Sequence, residues 1–123
     1  MVAALAGCFV NSVGGSPGGT PQAVASPTNL YGYKTRDGTV TTGSYATVTV
    51  YNLNGPYSYK WAWDDGDETV YPNNPTQVST RFSGQVSTNG EKHASFICTV
   101  TGAGGVTVVT PPIYVQLSVG IIP

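Results

Sequence analysis

Four of the six acidic residues of the chain lie in one short stretch around Gly66: Asp64, Asp65, Asp67 and Glu68. Carboxylates are the hard oxygen ligands that Ca²⁺ prefers, so this stretch is a candidate metal site. It lacks the Asp-x-Asp-x-Asp ladder and the distal Glu of an EF-hand loop. In the simpler interpretation it is a polar turn, whose Asp side chains bond to the nearby backbone and whose glycine supplies a positive φ. We therefore expect no bound metal and no cofactor.

The single histidine, His93, is the main candidate for acid–base chemistry. A catalytic histidine needs an oriented partner and a nucleophile within reach. The sequence shows neither beside it. Neither a Gly-x-Ser-x-Gly nor a His-Glu-x-x-His motif is present, and the glycine-rich stretches 14–19 and 102–105 lack the Lys-Ser/Thr of a phosphate loop. We expect a protein that acts by binding or assembly, and not an enzyme.

Tyrosines are candidates for binding, because their rings are apolar and end in a polar hydroxyl. Those expected on the surface could stack on sugar rings or on a protein partner. The alternative is ordinary cross-strand packing on the face of a sheet. The tyrosines concerned are Tyr33, Tyr45, Tyr51 and Tyr114.

The charge of the chain excludes some partners. Only 9% of the residues are charged, the formal net charge is −1, and the five Lys and Arg residues are scattered. Nucleic-acid binding depends on clustered basic charge, so we expect none. No stretch approaches the roughly 20 apolar residues of a membrane-spanning helix. The two cysteines are too few for a secreted disulfide scaffold, and two free thiols are the simpler interpretation of Cys8 and Cys98.

The first 27 residues contain no charged side chain and many glycines and prolines. Such a segment cannot hold a helix, and we expect it to stay outside the sheets as an extended arm, with the domain at 28–123. Its apolar side chains need burial, either in a neighbouring subunit or on the arm's own domain. The candidate partner-binding residues of the arm are Val2, Leu5, Phe9 and Val10.

The arm also contains Leu5-Ala6-Gly7-Cys8, which matches the bacterial lipobox in which the cysteine becomes lipidated. Only seven residues precede Cys8, and none of them is Lys or Arg. A signal peptide needs a positive segment and a longer apolar stretch. A chance match in a segment of small residues is therefore the favoured interpretation.

The rest of the chain alternates between strand and turn signals. Eight Tyr, two Trp and three Phe occur among many Val and Thr residues, which suit a half-buried pleated surface. Alternation places Val78, Thr80 and Phe82, and later Ala94, Phe96, Cys98 and Val100, on inward faces. Asp64 to Glu68 is expected to be a turn. Pro111-Pro112 marks an edge or a switch between sheets. The predicted strands are 30–34, 39–52, 57–63, 69–71, 76–82, 92–101 and 106–119, which indicates an all-β, two-sheet antiparallel sandwich.

Two motifs carry a resemblance to known families. Tyr57-Ser58-Tyr59-Lys60-Trp61-Ala62-Trp63 and Phe96-Ile97-Cys98 resemble the core strands of immunoglobulin-like sandwiches, with Trp61 (or Trp63) as the core tryptophan and Cys98 near a position that is usually disulfide-bonded. The matching second-strand position, near Val48, is not Cys, so the resemblance implies a core of Trp61, Phe96 and Cys98 without that disulfide. Trp63-Asp64-Asp65-Gly66-Asp67 resembles the Trp-Asp-x-Gly-Asp stretch of polycystic-kidney-disease-type domains, which are related sandwiches.

The resemblance covers about residues 28–119 and extends to virion proteins of tailed bacteriophages. It implies a structural protein of the capsid or tail surface, such as a decoration protein, which assembles through residues 1–27. The expected partners are then other virion proteins and further copies of the chain. The alternative is a bacterial surface or secreted module for adhesion or carbohydrate binding, with cell-surface glycans as partners. A lipoprotein anchored through Cys8 is one form of this alternative.

Overall fold

The computed structural model of the chain describes residues 19–120. They form an all-β sandwich built from short strands, with one 3₁₀ turn at Ala103–Gly105. In chain order the strands are β1 (Gln22–Ser26), β2 (Asn29–Lys34), β3 (Gly38–Thr41), β4 (Ala46–Tyr51), β5 (Ser58–Gly66), β6 (Tyr71–Pro72), β7 (Ser79–Thr80), β8 (Phe82–Val86), β9 (Glu91–Thr101), β10 (Thr107–Val109) and β11 (Ile113–Val119).

One layer, which we call the first sheet, consists of two groups of three strands. Their strand orders are β1-β4-β7 and β3-β8-β6, and all pairs are antiparallel. The two halves join where the backbone N–H of Thr42 donates to the carbonyl of Phe82 (2.9 Å) and the Thr42 hydroxyl accepts from the Phe82 N–H (3.2 Å). Thus β3 and β4 act as one interrupted strand, as do β7 and β8.

The other layer, the second sheet, runs β5, β9, β11 and β2. Strand β11 pairs antiparallel with β9 and parallel with β2, while β10 pairs with the far end of β9. With β3 joined to β4, β7 to β8, and β10 to β11, eight strands divide equally between the two sheets, as in an immunoglobulin-like sandwich.

The core lies between the sheets and is built by period-two alternation. Trp61 is 3% exposed and its indole N–H donates to the carbonyl of Gln77 (2.8 Å), so its polar atom is paired. Its ring meets Phe82 edge-on at 5.6 Å between centroids, and Phe82 lies 4.6 Å from Phe96. Phe96 and Cys98 are fully buried, with Val48 also in the core. Trp61, and not Trp63, is therefore the core tryptophan.

Strand β1 corrects one expectation about the arm. The arm, residues 1–27, was expected to stay outside the sheets, yet its segment Gln22–Ser26 pairs along its whole length with β4. Ala23 and Ala25 point into the core and are 4% and 5% exposed. The proline signals at 21 and 27 bracket this strand and do not interrupt it, which is why the composition of the segment was misleading.

Three further expectations about strands were wrong. Residues 39–52 do not form one strand, because the chain breaks at 42–45 between β3 and β4. Val78 was expected inward but is 39% exposed, since it lies in the bend before β7. The stretch Asp64 to Glu68 is not wholly a turn: β5 continues to Gly66 through an irregularity between Trp63 and Asp65, and the turn begins at Asp67.

Candidate functional site

The outer face of the second sheet carries a cluster of exposed tyrosines, which we call the aromatic face: Tyr31, Tyr33 and Tyr114. Leu30 is buried on β2, so the alternating residues Tyr31 and Tyr33 must point outward, and they are 65% and 55% exposed. On the adjacent strand β11, Tyr114 lies between the buried Ile113 and Val115 and is 54% exposed. The parallel pairing of β2 with β11 brings these rings onto one surface.

A groove of about 290 Å³ opens on this face. Its lining combines two of the tyrosines with polar side chains from four strands. The residues that line it are Asn29, Leu30, Tyr31, Asp65, Gly66, His93, Ala94, Ser95, Tyr114, Val115 and Gln116. The volume lies at the lower end of the range of ligand sites in proteins.

Strand register explains how these side chains come together. One row across the sheet contains Tyr31, Gln116 and His93, because Gln116 pairs with both of the others. The next row contains Asn29, Tyr114, Ser95 and Asp65. Gly66 lines the groove next to Asp65. Its φ of +88° and the closeness of the His93 carbonyl oxygen leave no room for a side chain at this position.

The acidic stretch does not form a cluster of ligands. Asp64 accepts a hydrogen bond from the hydroxyl of Ser95 (3.0 Å). Asp67 accepts from the backbone N–H (2.9 Å) and the hydroxyl (2.6 Å) of Thr69, and these bonds lower the pKa of its carboxyl. Within residues 19–120, no three His, Cys, Asp or Glu side chains are grouped as metal ligands would be.

The surroundings of His93 differ from the expectation in one respect. No partner was expected, but Glu91 Oε1 lies 3.0 Å from His93 Nε2, because residues two apart in β9 share a face. Ser95 lies on the same face and lines the same groove. Its hydroxyl donates to Asp64 and not to His93, so Ser95 and His93 do not form a hydrogen-bonded pair in this arrangement.

The other tyrosines singled out in the sequence lie on the opposite side of the molecule. Tyr51, the last residue of β4, is 49% exposed on the first sheet, and Tyr45, in the break just before β4, is 48% exposed. The guanidinium of Arg81 lies 4.7 Å above the Tyr45 ring, so this tyrosine takes part in a cation–π contact of the domain itself. The four tyrosines singled out from the sequence therefore lie on two separate surfaces, and only Tyr33 and Tyr114 belong to the aromatic face.

The two cysteines are placed differently. Burial raises the pKa of the Cys98 thiol to about 11, so this residue is an inert part of the core. Cys8 and the candidate arm residues Val2, Leu5, Phe9 and Val10 lie outside the described residues.

Several residues of the groove were not singled out from the sequence. Tyr31 follows the same alternation as Tyr33 and could have been found from it. Asn29 and Gln116 could not, because their role depends on the parallel pairing of β2 with β11, which joins residues far apart in the chain.

Comparisons with known proteins give little further information. No family model matches the chain, and no curated protein matches it. Among solved structures, it is similar to a conjugative transposon lipoprotein from Bacteroides eggerthii DSM 20697, with 12% sequence identity, a TM-score of 0.41, and coverage of 77% of this chain and 95% of that one. This similarity is too low to transfer a function. In the part of the chain that the structure describes, no helix has the length and apolar character needed to cross a bilayer.

Proposed function

We propose that this domain is a non-enzymatic recognition module for adhesion to a cell surface, which binds its partner through the aromatic face. The observation that carries the proposal is the placement of Tyr31, Tyr33 and Tyr114 on adjacent strands of one face, where Tyr31 and Tyr114 also line a groove. Exposed aromatic rings gathered on one face of a domain are typical of interaction sites.

The experiment compares two matched double variants of the full chain. Tyr31→Ser with Tyr114→Ser removes rings of the aromatic face, whereas Tyr51→Ser with Tyr71→Ser removes two rings from the first sheet, each 49% exposed. The fluorescently labelled proteins are incubated with intact bacterial cells of several envelope types, and the retained fraction is measured.

We expect the first double variant to lose most of its retention and the second to behave as the unmodified chain. Equal retention of both variants, or no retention of the unmodified chain on any cell type, would contradict the proposal. Circular dichroism of each variant checks that the sandwich remains folded.

A second candidate function is that of a structural protein on a tailed-phage particle, which assembles with other virion proteins or with further copies of the chain. One observation favours it. Strand β1 contains no charged side chain, and among the described residues only β4 pairs with its backbone, so it forms an edge of the first sheet. Edge strands are usually protected from pairing by charge. An uncharged edge that continues from residues 1–21, which also carry no charge, could accept a neighbouring subunit.

A further inference from the structure

We propose that the groove on the aromatic face binds one uncharged pyranose ring of a glycan. This inference rests on the proposed function, because it names the ligand of the same surface. It commits the groove to a sugar, and not to an apolar peptide, a lipid or an anion. The apolar rings, the polar lining and the charge of the groove each bear on that choice.

The apolar part of the groove consists of the rings of Tyr31 and Tyr114. The two tyrosines lie on adjacent strands. Tyr114 pairs with Asn29, and Tyr31 lies two residues after Asn29 on the same strand. From the spacing of strands and of residues within a strand, their Cα atoms are roughly 8 Å apart. The two rings are more than half exposed and can lie against the C–H faces of a sugar, which are apolar like the faces of the rings.

The polar part of the groove consists of Asn29, Gln116, His93, Ser95 and Asp65. An amide side chain offers both donors and an acceptor, and an ionised carboxylate offers acceptors alone. The hydroxyls of a sugar both donate and accept, so they can pair with all of these groups. Ser95 and His93 already have partners within the domain, in Asp64 and Glu91. A hydrocarbon chain or an apolar peptide offers no hydrogen-bond partner to the Gln116 amide or the Asp65 carboxylate, and burying these groups under it is unfavourable.

The charge of the groove selects among sugars. Asp65 lines it, Asp64 is adjacent in the chain, and Glu91 contacts His93. Its lining contains no lysine or arginine among the described residues. Like charges oppose each other across a binding site, so uronic acids, sialic acids and phosphorylated sugars are disfavoured. A neutral hexose is the ligand that agrees with both the hydrogen-bonding groups and the charge.

The test is a titration of the ¹⁵N-labelled full chain, followed by amide chemical shifts. The probes are the methyl glycosides of glucose, galactose, mannose and N-acetylglucosamine, with methyl glucuronide as the anionic probe. We expect at least one neutral probe to shift the amides of residues 29–31, 93–95 and 114–116, with a dissociation constant on the order of 1 mM, as suits a single small ring. Methyl glucuronide should bind at least about tenfold more weakly.

Three further variants make the test specific. Tyr114→Ala should weaken binding of the neutral probe about tenfold, while Tyr51→Ala should leave it unchanged. Asp65→Asn should reduce the ratio between the affinities for the neutral probe and for methyl glucuronide. A purely structural role of Asp65 would leave this ratio unchanged. Shifts confined to other surfaces, no shifts with any neutral probe, or equal binding of glucoside and glucuronide would overturn the inference.

The outcome also separates this inference from the proposed function. If no free sugar binds in the groove but cell retention still depends on Tyr31 and Tyr114, the inference fails and the recognition role stands, with a peptide or protein as the partner. If a neutral sugar binds in the groove but cells do not retain the chain, the sugar site stands and the adhesion role fails.

Discussion

At the scale of single residues, Asp67 shows how an acidic side chain that suggests metal binding can have a structural task. Its carboxylate accepts two hydrogen bonds from Thr69, with Lys92 nearby, and these contacts lower its pKa from the ordinary value of 3.8. The folded state thus binds this proton more weakly than the unfolded state. The carboxylate therefore contributes stability above the pKa of the unfolded chain, and this contribution is lost as the pH falls through the lower, folded-state value.

We predict that Asp67→Ala lowers the free energy of unfolding at pH 7 by about 1 kcal/mol or less, because the turn is partly exposed and water screens the charge. The difference between the variant and the unmodified chain should shrink as the pH falls below about 4. Urea unfolding between pH 2 and pH 7 measures it. Asp67→Asn is the control, since it keeps an oxygen acceptor without the charge. A deficit that stays constant at all pH values would contradict the linkage to ionisation.

The sequence could indicate that a tryptophan of 57–63 is in the core, but not which one. Trp61 and Trp63 are two residues apart, so alternation places both on the same face. The difference arises because β5 is an edge strand whose pairing with β9 shifts between Trp63 and Asp65. At that irregular end Trp63 is 42% exposed, whereas Trp61 is covered by Phe82. Such an irregularity depends on the partner strand and has no signature in the local pattern.

At the scale of elements, the break at Pro111-Pro112 does not move the chain to another sheet. Both β10 and β11 pair with β9, and Thr110 connects them. The Thr110 N–H donates to the carbonyl of Cys98, and its hydroxyl accepts from the Cys98 N–H, both at 2.9 Å. A side-chain oxygen therefore takes the place of a backbone acceptor where the prolines interrupt the strand.

We predict that Thr110→Val, which preserves the shape of the side chain, destabilises the domain by about 1–3 kcal/mol. The Cys98 N–H, in a buried site, would lose its acceptor. Chemical denaturation checks the value. Thr107→Val, at an exposed site on β10, should change stability by no more than about 0.5 kcal/mol. Thr110→Ser should retain most of the hydrogen-bond contribution. Equal stability of Thr110→Val and the unmodified chain would contradict this role.

The interrupted strands show which features of the fold the local alternation of residues cannot predict. Residues 46–51 and 113–119 alternate clearly, and the structure has strands there. The break at 110–112 is marked in the sequence by Pro111-Pro112. The break at 42–45 has no such mark and coincides with hydrogen bonds between Thr42 and Phe82, which are far apart in the chain. Local alternation does not contain such long-range bonds, so it joins the segments into strands that are too long.

At the scale of the whole molecule, the position of β1 decides where the domain begins. The strand supplies Ala23 and Ala25 to the core, and it pairs with β4 to form one edge of the first sheet. Just before it, the carbonyl of Thr20 accepts a hydrogen bond from the side chain of Asn52 (3.2 Å), and Gly19 packs against the same residue. A truncation that is meant to remove only the N-terminal segment must therefore keep residues from Gly19 onward.

We predict that a chain starting at Gly19 is as stable as the full chain, whereas a chain starting at Thr28 is less stable by at least about 2 kcal/mol. The shorter chain loses a five-residue ladder and exposes apolar surface, which costs about 25 cal/mol per Å². Urea unfolding of the three chains measures both differences. Equal stability of the chains starting at Gly19 and Thr28 would show that β1 is not an integral part of the sandwich.

The chain starting at Gly19 also tests the assembly role, because it separates loss of the N-terminal segment from loss of folding. If residues 1–18 join a lattice, light scattering should show oligomers, or binding to purified particles, for the full chain and a monomer for the truncated one. If both chains are monomers that leave particles unbound, the phage hypothesis fails. The uncharged character of residues 1–18 would then need another explanation, and the aromatic face, which both chains retain, would be the remaining binding surface.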